Sequence, residues 1–507
     1  MKPFRLNAAD NVVIAAAAMP VGGDVGVNGL RSHEAIGRGH KIAIEPIVNG
    51  GRIVKLGQTI GIATRDIAAG DWVHDHNIRN PTAAEIQSAK AVIAERARPG
   101  VTATPTPLTF MGYRRPSGRA ATRNYVGILT TVNCSATVAR GIADVFRAPG
   151  ALDRYPNIDG VVAFTHGTGC GMQAGSAGHD VLLRTIQGYL DHPNFAAVLL
   201  IGLGCEVNRG SMLRPPGANG TGRGSFFDIQ DVGGTRAAIA EGVARVREYL
   251  AFADQSRREP IPVSELTVGL QCGGSDAFSA LTANPALGVA ADLLVAQGGA
   301  VILSETPEVA AWAEQLCARA TSTEVAQKMR DKVKWWENYA AASGATLAGN
   351  PSPGNRAGGL STIAEKALGA IAKGGQSALA GVCDYAEPIA SRGLVFMDSP
   401  GFDPVSATGQ IASGANLVCF TTGRGSVFGA KPAPSLKLAT NSEIFQRMRD
   451  DMDIDCGGVL DGRTDLQALG SDIFKRIVET ASGAETSSEK LDIGENEFAP
   501  WQLGAVL

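Results

Sequence analysis

At 507 residues the chain is too long for one ordinary hydrophobic core, and its length predicts roughly three domains. With 44% hydrophobic and 19% charged residues it is globular rather than disordered. A formal net charge of −3, with no long basic run, excludes nucleic acid or an anionic membrane as the main partner and points to a small-molecule ligand.

The apolar stretch Val12 to Val21 is short and contains Pro20, so it is neither a spanning helix nor a secretory segment. Eight dispersed cysteines read as reduced thiols, and a cytoplasmic protein is expected. Residues 1–82 are β-rich: Val12–Ala15, Lys41–Ile44, Arg52–Leu56 and Gln58–Ala63 alternate with Gly, Asn and Asp turns and close on Gly70 to Asn77. Residues 83–107 form a helix, Ala83 to about Arg98, and a Thr/Pro-rich linker from Pro99 to Pro107.

From 108 to 257 apolar strands (Tyr125–Val132, Gly160–Thr165, Ala197–Gly202) alternate with helical periods (Ala136–Arg147, Gly178–Asp191, Arg236–Ala253), the order of a parallel α/β sheet. Residues 258–507 restart with Leu266–Leu270. Further strands are predicted at Ala300–Leu303, Gly393–Met397 and Ala415–Phe420, with a long helix from Glu308 to about Ala342 and a loop at Gly349–Asn355.

Glycine is the compositional outlier at 63 residues, and it clusters where apolar runs end. Four cysteines share those turns: Cys134, Cys170, Cys205 and Cys272. In an α/β sheet the loops at the carboxyl ends of strands converge on one crevice, so these thiols can meet although far apart in sequence. His166 ends a strand just before Cys170 and is a candidate general base, or a plain strand cap. Glu206, beside Cys205, either binds metal, moves a proton or sits exposed at a helix start. His74 and His76, two apart, would share one face of a strand and reach one metal ion; the alternative is a pair of solvated histidines. Arg114, Arg115, Arg119 and Arg123 form either a surface run or a clamp for an acidic substrate. Asn133 accompanies Cys134; Ser275 and Asp276 follow Cys272, where Asp276 suits a helix cap.

Taken together, Gly112 to Val126, His166 to Gly171, Gly204 to Glu206, Leu270 to Asp276, Ser304 to Glu308, Asn350 to Asn355, Pro400 to Ser406 and Phe420 to Gly425 resemble the altronate and galactarate dehydratases. The segment with His74 to Asn77 resembles their SAF (β-clip) domain. The resemblance implies an α/β protein with an amino-terminal SAF domain, a middle α/β domain and a carboxyl-terminal Rossmann-like α/β domain. It implies a lyase that dehydrates a sugar acid to a 2-keto-3-deoxy acid with Fe2+ or Mn2+, as a homo-oligomer. On that reading His166 or Glu206 takes the proton, and Arg114, Arg115, Arg123, Asn133, Ser275 and Asp276 hold substrate. His74, His76, Cys170, Cys205 and Cys272 are the metal-ligand candidates. Competing expectations are a (2R)-sulfolactate sulfo-lyase-like C–S lyase, a dehydratase with an iron–sulfur cluster on the four loop cysteines or on three of them, and a non-enzymatic sugar-acid-binding protein.

Overall fold

The computed structural model describes residues 3–87, 106–214 and 223–507. Most of the helix and linker expected at 83–107 lies outside them; Ala83–Gln87 is helical. The amino-terminal unit is built from two small antiparallel sheets. Val12–Ile14, Lys41–Ala43 and Trp72–Val73 form one, and Arg52–Lys55, Gln58–Ala63 and Ile78–Arg79 the other. Their alternating faces bury Ile53, Ile60, Ile67 and Val73 in a core of their own.

The second body is a four-stranded parallel sheet in the order Gly160–Phe164, Tyr125–Thr130, Phe195–Gly202, Arg223–Asp228. Tyr125–Thr130 and Phe195–Gly202 are buried at every position, the signature of strands covered on both faces. One face packs under Ala136–Arg147, whose Val138, Ala139, Ile142 and Phe146 make an apolar stripe, and under Thr235–Ala253. The other carries Ala177–Leu190, which packs on Asp403–Ala412 of the third body. A Cβ at Gly188 would lie 2.4 Å from the Ala412 carbonyl oxygen, so only glycine permits that approach.

The third body is a seven-stranded all-parallel sheet. Its order is Leu379–Cys383, Gly393–Met397, Ala300–Leu303, Thr267–Cys272, Leu417–Thr422, Ser435–Ala439, Ile454–Asp455. Strand succession reverses at Thr267–Cys272, which opens a crevice at its carboxyl end. Between the two α/β bodies, Arg258–Pro262 pairs antiparallel with Thr109–Arg114, so chain from both sides of residue 257 shares one small sheet.

Two expectations need correction. The helix expected from Glu308 to Ala342 is broken: short turns run to Cys317, and a new helix, Thr323–Ala342, starts where the Ser322 hydroxyl accepts the Val325 N–H. The expected loop at 349–355 contains the start of a short helix, Pro353–Ala357, with Pro353 in its first turn, where no N–H is needed.

The amino-terminal unit docks on the third body through buried charge. Lys41 Nζ and Lys55 Nζ each lie 2.8 Å from one oxygen of Glu365, on the helix Ile363–Ala372, and all three side chains are buried. Burial lowers Lys41 to a pKa of about 8, whereas the two lysines overcome burial to hold Glu365 down at about 2. Glu365→Ala leaves both ammonium groups unpaired, and stability falls by about 3–5 kcal/mol. A lowered thermal midpoint, with faster amide exchange across residues 41–63, is the expected readout.

Candidate active site

Several expected site residues are committed to the scaffold. Arg123 uses all five N–H donors internally, on both oxygens of Glu489 (2.5 and 2.9 Å) and on the carbonyls of Thr122, Thr480 and Ala484. Arg115 is buried and donates to Pro193 O, Asn124 Oδ1 and Arg123 O. Arg114 forks onto Glu265 at 2.6 and 3.0 Å. The expected arginine clamp is therefore a structural network joining the bodies, with its forks already filled.

Glu206 is buried, and its carboxylate accepts from Thr131 Oγ1 (2.5 Å), Leu203 N–H (3.1 Å) and Gly204 N–H (2.7 Å). Despite the opposing effect of burial, these bonds lower its pKa, as they do for any carboxylate cradled by donors. His166 is neutral: Nε2 meets the Thr130 carbonyl at 3.0 Å, Nδ1 accepts the Thr168 N–H at 3.3 Å, and burial lowers its pKa to about 4. A base role would require the ring to release Thr168. Asp276 accepts from Ser279 in its own loop and from Thr440 and Asn441 in the loop after Ser435–Ala439, and so ties two loops together, while the Ser275 carbonyl accepts from Asn355.

The metal-ligand set does not assemble as expected. The strand ends at Val73, and His74 to Asn77 form a turn in which Asn77 Oδ1 accepts the His74 N–H. The alternation that would put both imidazoles on one face is therefore lost. His74 is buried, bonded to Ser361 Oγ at 2.8 Å and stacked on Trp72, whereas His76 is exposed. Cys170 and Cys205 are exposed on the second body.

Cys272 alone of the five joins a ligand group. Among the described residues, the cluster with three ligand atoms mutually within 4.8 Å is Cys272, Glu305 and Glu308, all buried. They sit at the carboxyl ends of the neighbouring strands Thr267–Cys272 and Ala300–Leu303. Lys373 Nζ donates to Cys272 Sγ at 3.0 Å and lies 3.8 Å from Glu305; Lys366 Nζ lies 2.6 Å from Glu308, which also accepts from Asn350. Asp403 comes from the loop after the next strand: a Cβ at Gly273 would lie 2.0 Å from its carboxylate. Burial, then Glu308, raises Asp403 to about 6; burial and Glu308 also raise Glu305 well above the carboxylate range.

Neither Glu305 oxygen makes a hydrogen bond, nor does Glu308 Oε2. Glu305 also holds a left-handed backbone, φ 71°. Orphaned buried carboxylate oxygens beside a sulfur fit a divalent cation such as Fe2+ or Mn2+. Sequence reading found Cys272 but not its partners. A lysine within an apolar strand, as at Lys41, was the available signal for the docking triad.

A small cavity adjoins this cluster and a large cleft lies beyond it. A cavity of about 10 Å³ is lined by Cys272, Ser275, Asp276, Glu365 and Lys366. A cleft of about 710 Å³ lies between the second and third bodies, lined by Asn133, Arg140, His166, Pro400, Phe402 and Trp501. The loop Pro400–Asp403 lies between the cleft and Glu308: Pro400 and Phe402 line the cleft, while a Cβ at Gly401 would lie 3.0 Å from Glu308.

Buried acids, lysines and a thiol at the carboxyl ends of parallel strands define an α/β enzyme, and its relatives are lyases. The chain belongs to the altronate/galactarate dehydratase family. Residues 1–81 match the altronate/galactarate dehydratase SAF domain, 112–254 the second domain of D-galactarate dehydratase/altronate hydrolase, and 263–506 the D-galactarate/altronate dehydratase carboxyl-terminal domain. The chain is 37% identical to galactarate dehydratase (L-threo-forming) of Escherichia coli K12, over 90% of this chain and 88% of that one. It is 34% identical to altronate dehydratase of Bacillus subtilis 168 over the whole of both. It is also 34% identical to the β subunit of (2R)-sulfolactate sulfo-lyase from Chromohalobacter salexigens, over 78% of this chain and 97% of that one. No helix among the described residues is long and apolar enough to cross a membrane.

The His166 environment sets a pH dependence. Its folded pKa, about 4, lies below the unfolded 6.5, so the unfolded chain binds the extra proton between these values and stability falls as pH drops through that window. The contribution is on the order of 3 kcal/mol. Urea unfolding at pH 7 and pH 4.5 should show a smaller loss for His166→Gln than for the parent chain.

Proposed function

We propose that the chain dehydrates a sugar acid of the altronate or galactarate type to a 2-keto-3-deoxy acid. The buried group of Cys272, Glu305, Glu308, Lys366 and Lys373 carries this reading, because it sets acids and bases within bonding distance where water is excluded. The C2 proton lies next to a carboxylate and is weakly acidic, so its removal needs a base and the departing C3 hydroxyl needs an acid. As the base takes the proton, the C–H electrons form the C2–C3 double bond while the C3–O bond breaks. The enol then becomes the ketone by taking a solvent proton at C3.

Asp403 is the base in this reading. It is the partly exposed carboxylate of the group and is carried by the loop whose Pro400 and Phe402 line the cleft. Lys366 protonates the leaving hydroxyl, and the small cavity beside it has room for about one water. Arg140, which donates to Thr165 Oγ1 at 2.8 Å, lines the cleft and anchors a substrate carboxylate. Cys272, Glu305 and Glu308 would hold Fe2+ or Mn2+, which supplies Lewis-acid polarisation of substrate oxygens when bound. The seven-stranded sheet is read as a Rossmann-like body whose strand reversal places these loops together.

A second reading rests on the similarity to the sulfo-lyase β subunit: the same α-proton abstraction followed by loss of sulfite rather than water. Anaerobic turnover of altronate, galactarate and sulfolactate in D2O with ferrous iron distinguishes them. The expected product is a 2-keto-3-deoxy acid carrying deuterium at C3, and Asp403→Asn lowers kcat by about 10²–10⁴-fold. Sulfite would transfer support to the second reading. Failure of all three acids to react would sink the proposal.

A further inference from the structure

We propose that Cys134, Cys170 and Cys205 form a three-thiolate site for a [4Fe–4S] cluster, distinct from the Cys272 group. This inference does not rest on the dehydration reading. Of the eight cysteines, five are buried and these three are exposed, and none is in a disulfide. Free exposed thiols are an oxidation liability on a protein surface, so three of them in one set of loops call for a use.

The three loops leave the carboxyl ends of three hydrogen-bonded neighbours, Gly160–Phe164, Tyr125–Thr130 and Phe195–Gly202. Their backbones are laced together beside the cysteines. Asn133 N–H, next to Cys134, donates to the Thr168 carbonyl at 2.9 Å; Asn208 N–H, three residues after Cys205, donates to the Gly169 carbonyl at 3.0 Å; Asn208 Nδ2 donates to the Thr131 carbonyl at 2.8 Å. Gly169 (φ +101°) makes the approach possible, since a Cβ there would lie 2.3 Å from the Thr131 carbonyl oxygen. Glycines in positive-φ conformations also flank Cys170 and Cys205 at Gly171 and Gly204.

These three sulfurs do not lie mutually within 4.8 Å, as ligands of one ion would. A cubane binds each thiolate through a different iron, and cluster cysteines need not be close in sequence. Gln230 Nε2 already donates to Cys205 Sγ at 3.5 Å, the kind of bond that tunes a cluster sulfur. Three thiolates for four irons leave one iron without a protein ligand, as catalytic metal sites keep an open position. Asn133, His166 and Gly167, neighbours of Cys134 and Cys170 in the chain, line the large cleft, so a hydroxy acid bound there is the ligand class such an iron would take.

The test is anaerobic reconstitution of the full chain with iron, sulfide and dithiothreitol, followed by desalting. The expected result is broad visible absorption that bleaches with dithionite, with acid-labile sulfide equal to iron. Cys134→Ser, Cys170→Ser and Cys205→Ser each lose the colour and the sulfide while keeping the parent thermal midpoint in the apo form; Cys272→Ser retains both. A colourless parent chain, iron bound without sulfide, or a chromophore that survives Cys170→Ser but not Cys272→Ser would overturn the proposal. Dehydration by a chain that takes up no sulfide on reconstitution would leave the functional reading standing and remove this one.

Discussion

One helix, Ile363–Ala372, connects the amino-terminal unit to the chemistry of the third body, and the bond that holds it is the buried pairing of Glu365 with Lys41 and Lys55. Charges taken out of water need further partners for their remaining groups: Lys41 also donates to the Gly359 carbonyl and Glu365 accepts the Ser361 N–H. Leu368 of the same helix packs on the amino-terminal core. Lys366 and Lys373, seven residues apart and therefore on one stripe, reach Glu308 and Cys272. The docking of the first unit thus fixes the height and rotation of the helix that delivers two cations to the buried acids.

The two parallel sheets solve a different problem. Each gathers its polar loops at the carboxyl ends of its strands, and the packing of Ala177–Leu190 on Asp403–Ala412 brings these ends to a common cleft. Asn133 and His166 enter it from one sheet, Pro400 and Phe402 from the other. The Pro400–Asp403 loop faces both ways, so a ligand in the cleft is separated from Glu308 by a single turn of chain.

Much of this was legible in the residues. Ala136–Arg147, Ala300–Leu303 and Gly393–Met397 have the expected bounds because burial on both faces, or one clear apolar stripe, leaves little choice of conformation. Glycine–cysteine turns marked the strand ends, but not that Cys272 joins Glu305 and Glu308 rather than Cys170 and Cys205. Local spacing failed where the partner was remote. Arg123 looked like a substrate clamp because Glu489, 366 residues away, is invisible to local reading. The His74–His76 pairing assumed a strand that stops at Val73. Cys272 was found, yet Glu305 and Glu308, in the segment Ser304 to Glu308 that was read for its resemblance, were not recognised as its partners.

The buried acids are the clearest conflict between stability and function in the molecule. Glu305 has a strained left-handed backbone and two oxygens without hydrogen bonds, and Glu308 is close enough to raise its pKa further. A core selected for stability alone would replace such a pair with apolar side chains of similar volume, as buried ionic groups can be replaced at little cost. The arrangement instead surrounds the acids with two lysines, a thiol and a third carboxylate, and anchors the lysines by a triad on an adjoining face of their helix. Local strain retained within a scaffold that is consistent everywhere around it marks the place where the fold serves chemistry rather than itself.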